Sequence, residues 1–157
     1  MKTKTTLLGM ALMAFMLFST SCSDDTEDKV EEVLGVTFTV NITGGETYKS
    51  TTGNGKMDAN TFVITSDHGD KEVFLYISKF AEGTYTFDDT LNHATFTYAK
   101  SDPSKIYNSL ESKQSYVKIT KIHTDGVKFD GEFQFACMDA NNNTEVITGS
   151  WINLSKK

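Results

Sequence analysis

Arginine is absent from this chain of 157 residues, because all 15 of its basic residues are lysines. The planar guanidinium of arginine is the side chain best suited to two-point recognition of phosphate and carboxylate groups. Its absence therefore argues against a dedicated anion site. The chain also has 21 acidic residues and a formal net charge of −6. A chain with this excess of negative charge has no favourable electrostatic interaction with a phosphate backbone, so we expect no nucleic-acid partner.

Cysteine is nearly as scarce, and two cysteines allow at most one disulfide. Cys22 lies directly after an apolar leader, whereas Cys137 lies in an alternating run on the same side as Phe133 and Phe135. We therefore expect Cys137 to be a small buried residue with a reduced thiol. A domain without paired cysteines is expected to be compact enough to need no bridge.

No apolar run is long enough to cross a membrane. The longest covers residues 7–18, follows Lys2 and Lys4, and precedes three small residues at positions 19–21. A transmembrane helix needs about 20 apolar residues. The pattern therefore predicts a secretory signal peptide over residues 1–21 that is removed from the mature protein.

The cysteine after this leader resembles the lipobox of bacterial lipoproteins. In that family a lipid is attached to the cysteine thiol, the leader is cleaved just before the cysteine, and the new amino group is acylated. The resemblance implies that Cys22 carries fatty acyl chains such as palmitate and anchors the protein to a membrane. The sequence departs from the pattern at Ser19, where leucine is usual. An ordinary secretory signal with an incidental cysteine is the alternative.

An acidic segment follows Cys22 and completes the range 22–34. It has almost no apolar residue to bury, so we expect a disordered tether. Its beginning, Ser-Asp-Asp, resembles the export tag that sends lipoproteins of the Bacteroidota to the outer face of the outer membrane. A plain spacer is the alternative. The residues implicated as an export signal are Ser23, Asp24, Asp25, Glu27 and Asp28.

The remainder, residues 35–157, has an apolar period of two nearly throughout. This period is typical of β-strands with one buried face. The clearest example is the run 127–137, in which apolar and polar residues alternate. We expect a single all-β domain, an antiparallel β-sandwich of about eight or nine strands. A closed β-barrel like that of the lipocalins is the alternative.

Two segments interrupt the strand pattern. Asp102-Pro103 is typical of a helix start, and Ile106, Tyr107 and Leu110 would then share one face of a short helix. Residues 51–55, which contain two glycines, are predicted to be a loop.

Three segments of the C-terminal half form a pattern that ends in two strands of the Gly-x-aromatic type. They are Ile119-Thr120-Lys121-Ile122, Gly131-Glu132-Phe133-Gln134-Phe135 and Ile147-Thr148-Gly149-Ser150-Trp151. With these segments the domain resembles small lipoproteins of the Bacteroidota that share an uncharacterised all-β domain, and the resemblance covers roughly residues 36–154. That family has no established activity, so the resemblance implies fold and location and no chemistry.

Catalytic and cofactor motifs are missing from the sequence. It has no phosphate loop and no Gly-x-Ser-x-Gly elbow, and its three histidines lack zinc-site spacing. The stretch 139–145 carries oxygen donors at alternate positions, as calcium loops do, but it lacks the glycine of such loops. It is predicted to be a hairpin turn. We expect no catalytic residue, no cofactor and no bound metal.

The best candidates for ligand binding are aromatic. Phe74 and Tyr76 alternate with the aliphatic residues of the run 73–77, so they face outward if the aliphatic residues face the core. Sugar-binding modules often use such aromatic platforms. A strand buried on both faces is the alternative. Trp151 is the third candidate, although a tryptophan that shares parity with Gly149 is more often a packing residue.

One further site and a function complete the expectations. Asp89-Thr90-Leu91 resembles the short O-glycosylation pattern of the Bacteroidota, which makes Thr90 a candidate acceptor. We expect a monomeric, non-catalytic module on the cell surface that binds a glycan, a host polymer or a partner protein. A barrel that carries a small apolar ligand is the first alternative, and an enzyme is the second.

Overall fold

The computed structural model describes residues 36–88 and 90–157. The predicted signal peptide over 1–21, the lipidation site Cys22 and the tether that follows it lie outside these residues. The described part consists mainly of eleven strands. They are β1 (Thr37–Ile42), β2 (Thr47–Ser50), β3 (Thr52–Asp58), β4 (Thr61–His68), β5 (Lys71–Ile77), β6 (Gly83–Phe87), β7 (His93–Thr97), β8 (Ile106–Ser109), β9 (Ser112–Ile122), β10 (Lys128–Met138) and β11 (Thr144–Ser155).

All paired strands are antiparallel, and they form one sheet that forks at β10. The first part of β10, as far as Gln134, pairs with β9, while Cys137 and Met138 at its end pair with β8. One half of the sheet therefore has the order β2-β1-β11-β10-β9-β6, and the other has the order β8-β7-β5-β4-β3. The predicted all-β antiparallel fold is confirmed.

Hydrogen bonds bring the free ends of the sheet together. Gly55 of β3 forms an isolated bridge with Lys156, and its carbonyl oxygen accepts a hydrogen bond of 2.8 Å from the Lys157 amide. At the other free end, the Ser50 hydroxyl of β2 donates to the carbonyl oxygen of Asp67 in β4. The sheet is thus nearly closed and barrel-like, which is the alternative arrangement predicted from the sequence.

Aromatic side chains fill the interior between the two halves. Phe62 of β4 and Phe129 of β10 meet edge to face with ring centroids 5.5 Å apart. Full burial of such a side chain contributes about 1.5–3 kcal/mol, so this core stabilises the sheet without a disulfide. The largest fully buried side chains are Trp151, Phe38, Phe62, Phe87, Phe96, Phe129, Phe133 and Phe135.

The predicted short helix is only one 3-10 turn, Pro103–Lys105. The capping prediction is right, because the Asp102 carboxylate accepts a hydrogen bond of 3.0 Å from the Ser104 amide. The helix stops at Ile106, whose backbone is extended and pairs with Thr97 as β8 begins. A helix this short is marginal by itself, so sheet pairing determines the structure after the first turn.

The prediction of a loop over residues 51–55 is wrong for most of that segment. Residues from Thr52 onward form β3, which raises the number of strands above the predicted eight or nine. Gly55 faces inward there, because a Cβ atom at this position would overlap the rings of Phe62 and Phe129. The glycine is needed for close packing of strand against ring rather than for a turn.

Within residues 36–88 and 90–157, no helix is long and apolar enough to span a membrane.

Candidate functional site

The outer face of β5 carries two of the predicted binding residues. Val73, Leu75 and Ile77 are fully buried in the core, as the alternation predicts. Phe74 and Tyr76 point to the other side and are half-buried. The alternative of a strand fully buried on both faces therefore does not apply.

Phe74, Tyr76 and His93 form a continuous group of rings, which we call the aromatic strip. The Phe74 and Tyr76 centroids are 6.3 Å apart with planes 23° from parallel. His93 of β7 is the register partner of Tyr76 and stacks on it with centroids 4.3 Å apart and planes within 10°. Burial lowers the pKa of His93, which favours the neutral imidazole at neutral pH. The same effect raises the pKa of the Tyr76 hydroxyl.

The row of residues that contains Phe74 is uncharged. Antiparallel register places Asn54, Thr65, Phe74, Thr95 and Asn108 in one outward row across five strands. This row offers two amides, two hydroxyls and an aromatic ring, and it has no formal charge. Within the residues that the structure describes, the Asn54 and Asn108 amide groups have no hydrogen-bond partner.

A shallow groove of about 340 Å³ runs along one side of the strip, with Phe74 in its wall. Asn54 and Thr65 contribute an amide and a hydroxyl group to its lining. Charged groups lie at its margin, where Asp67 forms an ion pair of 2.8 Å with Lys100. The groove thus combines an apolar ring with donors and acceptors. Its full lining is Thr52, Gly53, Asn54, Lys56, Thr65, Asp67, Glu72 and Phe74.

A second depression of about 220 Å³ lies on the other side of the strip, where His93 forms part of the lining. Thr90, the candidate O-glycosylation residue, is exposed in the same depression. Asp89, the first residue of its predicted motif, lies outside the described residues. The strip is therefore flanked by a groove on each side.

Trp151 is not part of this outer surface. Its side chain is 1% exposed and stacks on Phe38 inside the sheet, with ring centroids 5.7 Å apart. The prediction that Trp151 contributes to a ligand site is therefore wrong, and its packing alternative is right. The physical reason is that β11 pairs with both β1 and β10, so the inward face of Trp151 lies at the centre of the core.

Sequence reasoning missed His93, Asn54 and Asn108 as parts of the site. The sequence signal for the site was the outward parity of Phe74. The residues beside it lie on other strands, and their positions depend on which strands pair with β5. The strand that follows β5 in the chain is β6, but β5 pairs with β7 instead. The register partner of Tyr76 is therefore His93, which lies on β7.

The remaining titratable candidates have structural roles. Cys137 is a fully buried free thiol whose Sγ lies 3.6 Å from the carbonyl oxygen of Glu145, and burial raises its pKa to about 12. Such a thiol is a poor nucleophile. Asp139 accepts hydrogen bonds from the backbone amides of Asn141 and Asn143 at 2.8 Å each, as expected for a turn.

Among the residues that the structure describes, no group of three or more His, Cys, Asp or Glu side chains could hold a metal ion.

Comparison with known proteins gives a family and no activity. A search of curated proteins finds no match, and a search of solved structures finds none. A family model described as a domain of unknown function, DUF6252, matches residues 37–153, which span β1 to most of β11. The chain therefore belongs to the DUF6252 family.

Proposed function

We propose that this chain is a surface-anchored lipoprotein whose β domain binds a glycan through the aromatic strip and catalyses no reaction. The observation that carries the proposal is the group of three near-parallel rings on an outer face, flanked by a groove on each side. Aromatic rings provide a large and rigid apolar surface, and the neighbouring amides and hydroxyls can bind sugar hydroxyl groups.

The charge of this face favours a neutral glycan. The chain as a whole is acidic, yet the two outward rows that contain Phe74 and Tyr76 hold one formally charged residue, Lys56. A neutral sugar chain that follows these rows would desolvate mainly uncharged groups, while the charged side chains of the groove, Lys56, Asp67 and Glu72, would lie beside it. A host polymer or a partner protein with an uncharged contact surface would meet the same chemistry and forms the second candidate class.

The proposed anchor rests on the sequence of the N-terminal segment. The apolar leader, the position of Cys22 and the acidic residues after it support lipidation and export to the outer face of the outer membrane in a member of the Bacteroidota. We propose that the domain acts as a monomer held at the surface by acyl chains on Cys22. A single acyl chain binds membranes only weakly, whereas several together give a stable anchor.

The alternative of a carrier for a small apolar ligand has less support. Such a carrier needs room inside its barrel, as lipocalins have. In the described part of this chain the interior is occupied by tightly packed rings such as Phe62, Phe129 and Phe133. The open grooves on the outside favour a ligand bound at the surface.

A glycan array tests the proposal. The soluble domain from residue 33 to residue 157 should bind neutral oligosaccharides in preference to sulfated or sialylated ones. Retention of the charged sugars alone would contradict the argument from charge. If the domain binds no glycan, a partner protein is the remaining candidate. Capture of surface proteins of the same cell by the immobilised domain would test that candidate.

A further inference from the structure

A second site lies at one end of the barrel, away from the aromatic strip. A cavity of about 320 Å³ opens there beside the turn between β1 and β2. Its floor is formed by Ile42, Phe96 and Tyr107, which are buried core residues. The sheet is not filled to its rim at this end, so the cavity has an apolar floor and an opening to solvent.

Fixed polar groups surround the opening. The Glu46 carboxylate oxygen Oε1 accepts a hydrogen bond of 3.1 Å from the Tyr98 hydroxyl and forms an ion pair of 3.1 Å with Lys71. The Lys71 ammonium also lies 5.1 Å from the centre of the Tyr98 ring. These contacts hold Tyr98 in place although its side chain is 40% exposed. One wall of the cavity is therefore positioned before any ligand arrives.

The rim carries charges of both signs. Lys71 pairs with Glu46 and also lies 3.7 Å from Asp70, and the rim has one further ammonium, Lys105, and one further carboxylate, Glu145. Neither of these two forms an ion pair within the part of the chain that the structure describes. The cavity thus offers one ammonium and one carboxylate that form no ion pair, and these two groups can donate to and accept from the hydroxyl groups of a neutral ligand.

The ring geometry selects against a flat aromatic ligand. Phe96 and Tyr98 meet at 85°, and Phe96 and Tyr107 meet at 39°. No two of these three rings are parallel, so they do not form two walls between which a planar ring would stack. A saturated sugar ring has an apolar C–H face that packs on such a floor and hydroxyl groups that reach the rim. The volume lies at the lower end of the range for ligand cavities, about 300–1,000 Å³, and suits one such ring.

We propose that this end cavity binds a single neutral sugar ring, with Phe96 and Tyr107 beneath it and Lys105 and Glu145 hydrogen-bonded to its hydroxyl groups. This site is separate from the aromatic strip. It does not depend on the function proposed for Phe74 and Tyr76, and either site can fail without the other.

The test is a titration of the ¹⁵N-labelled chain from residue 23 to residue 157, followed by NMR. Neutral methyl glycosides of glucose, galactose, mannose and N-acetylglucosamine are the probes, and benzoate and benzylamine are the charged comparisons. We expect at least one glycoside to give saturable shifts at the backbone amides of Gly44, Gly45 and Tyr98. No saturable shift with any glycoside, or shifts with the charged probes alone, would overturn the proposal.

Matched lysine variants test the role of the rim. Lys105→Met should weaken glycoside binding at least several-fold. Lys100→Met should leave binding unchanged, because Lys100 forms its ion pair with Asp67 outside this cavity. Tyr107→Phe is the second variant, and it should bind as the wild type does because it keeps the ring on which the sugar packs. Equal affinities in the wild type and in Lys105→Met would show that the sugar binds elsewhere.

Discussion

The indole ring of Trp151 lies over Gly131, its register partner on the neighbouring strand, and occupies the space that a Cβ atom of residue 131 would need. The same arrangement recurs beside it, where the Phe133 ring lies over Gly149 of β11. A ring that covers a glycine in a sheet fills the space left by the missing side chain. These two pairs allow large rings to lie flat against the sheet wall, and they account for the Gly-x-aromatic segments of the sequence.

Gly131→Ala should therefore destabilise the protein. The new Cβ atom would overlap the Trp151 ring and lie 2.5 Å from the carbonyl oxygen of Lys118, which cannot move without disturbing the strand pairing. Overpacking of this kind costs about 1–3 kcal/mol. Urea unfolding would measure the loss. Gly45→Ala is the control and should cost less, because the nearest atoms at that position belong to the Ile42 side chain at 3.2 Å.

Ala59→Gly should stabilise the protein. Ala59 is the first residue of the two-residue turn between β3 and β4 and has a φ of 50°. A turn with positive φ at this position favours glycine, since a Cβ atom is strained in the left-handed region by about 1–2 kcal/mol. Part of this gain is offset by the greater freedom of glycine in the unfolded chain. Thermal unfolding would reveal the change, and an unchanged or lower midpoint would contradict the argument from strain.

Alkaline pH should destabilise the fold through Cys137. Burial raises the pKa of this thiol to about 12, while the ordinary value is 9.0. Below pH 9 the thiol is neutral in both states. As the pH rises from 9 towards 12, the unfolded chain ionises and the folded chain does not, so folding loses stability. Urea unfolding at pH 7 and pH 10 would show this loss. The loss should be smaller in Cys137→Ala, and fast reaction of the native thiol with a maleimide would show that it is not buried.

The acidic tether gives a prediction about location. Replacing Asp24, Asp25, Glu27 and Asp28 by Ala should leave acylation at Cys22 intact, because the lipid is attached to the cysteine and the fold depends on later residues. Only the membrane face reached by the protein should change. Protease shaving of whole cells measures that face. If the mutant is digested as readily as the wild type, the segment is a spacer and not an export signal.

The alternation of single strands was predictable from the sequence, whereas contacts between distant strands were not. Val73, Leu75 and Cys137 face inward as their parity indicates, because burial repeats every second residue along a strand. Gly55 misled the prediction, because the two rings that require a glycine there, Phe62 of the paired strand β4 and Phe129 of the distant strand β10, meet it only in the folded sheet. The place of His93 beside Tyr76 likewise follows from the pairing of β5 with β7, which a single sequence does not specify.

The most direct test of the central claim is the affinity of single variants for a neutral oligosaccharide selected by the array. Phe74→Ala and Tyr76→Ala each remove one ring of the aromatic strip, and Tyr116→Ala removes a comparable half-buried ring from β9, in the other half of the sheet. Isothermal titration should show that each strip variant binds at least about tenfold more weakly, a loss of about 1.4 kcal/mol. The Tyr116 variant should bind as the wild type does. Wild-type affinity in both strip variants would contradict the account.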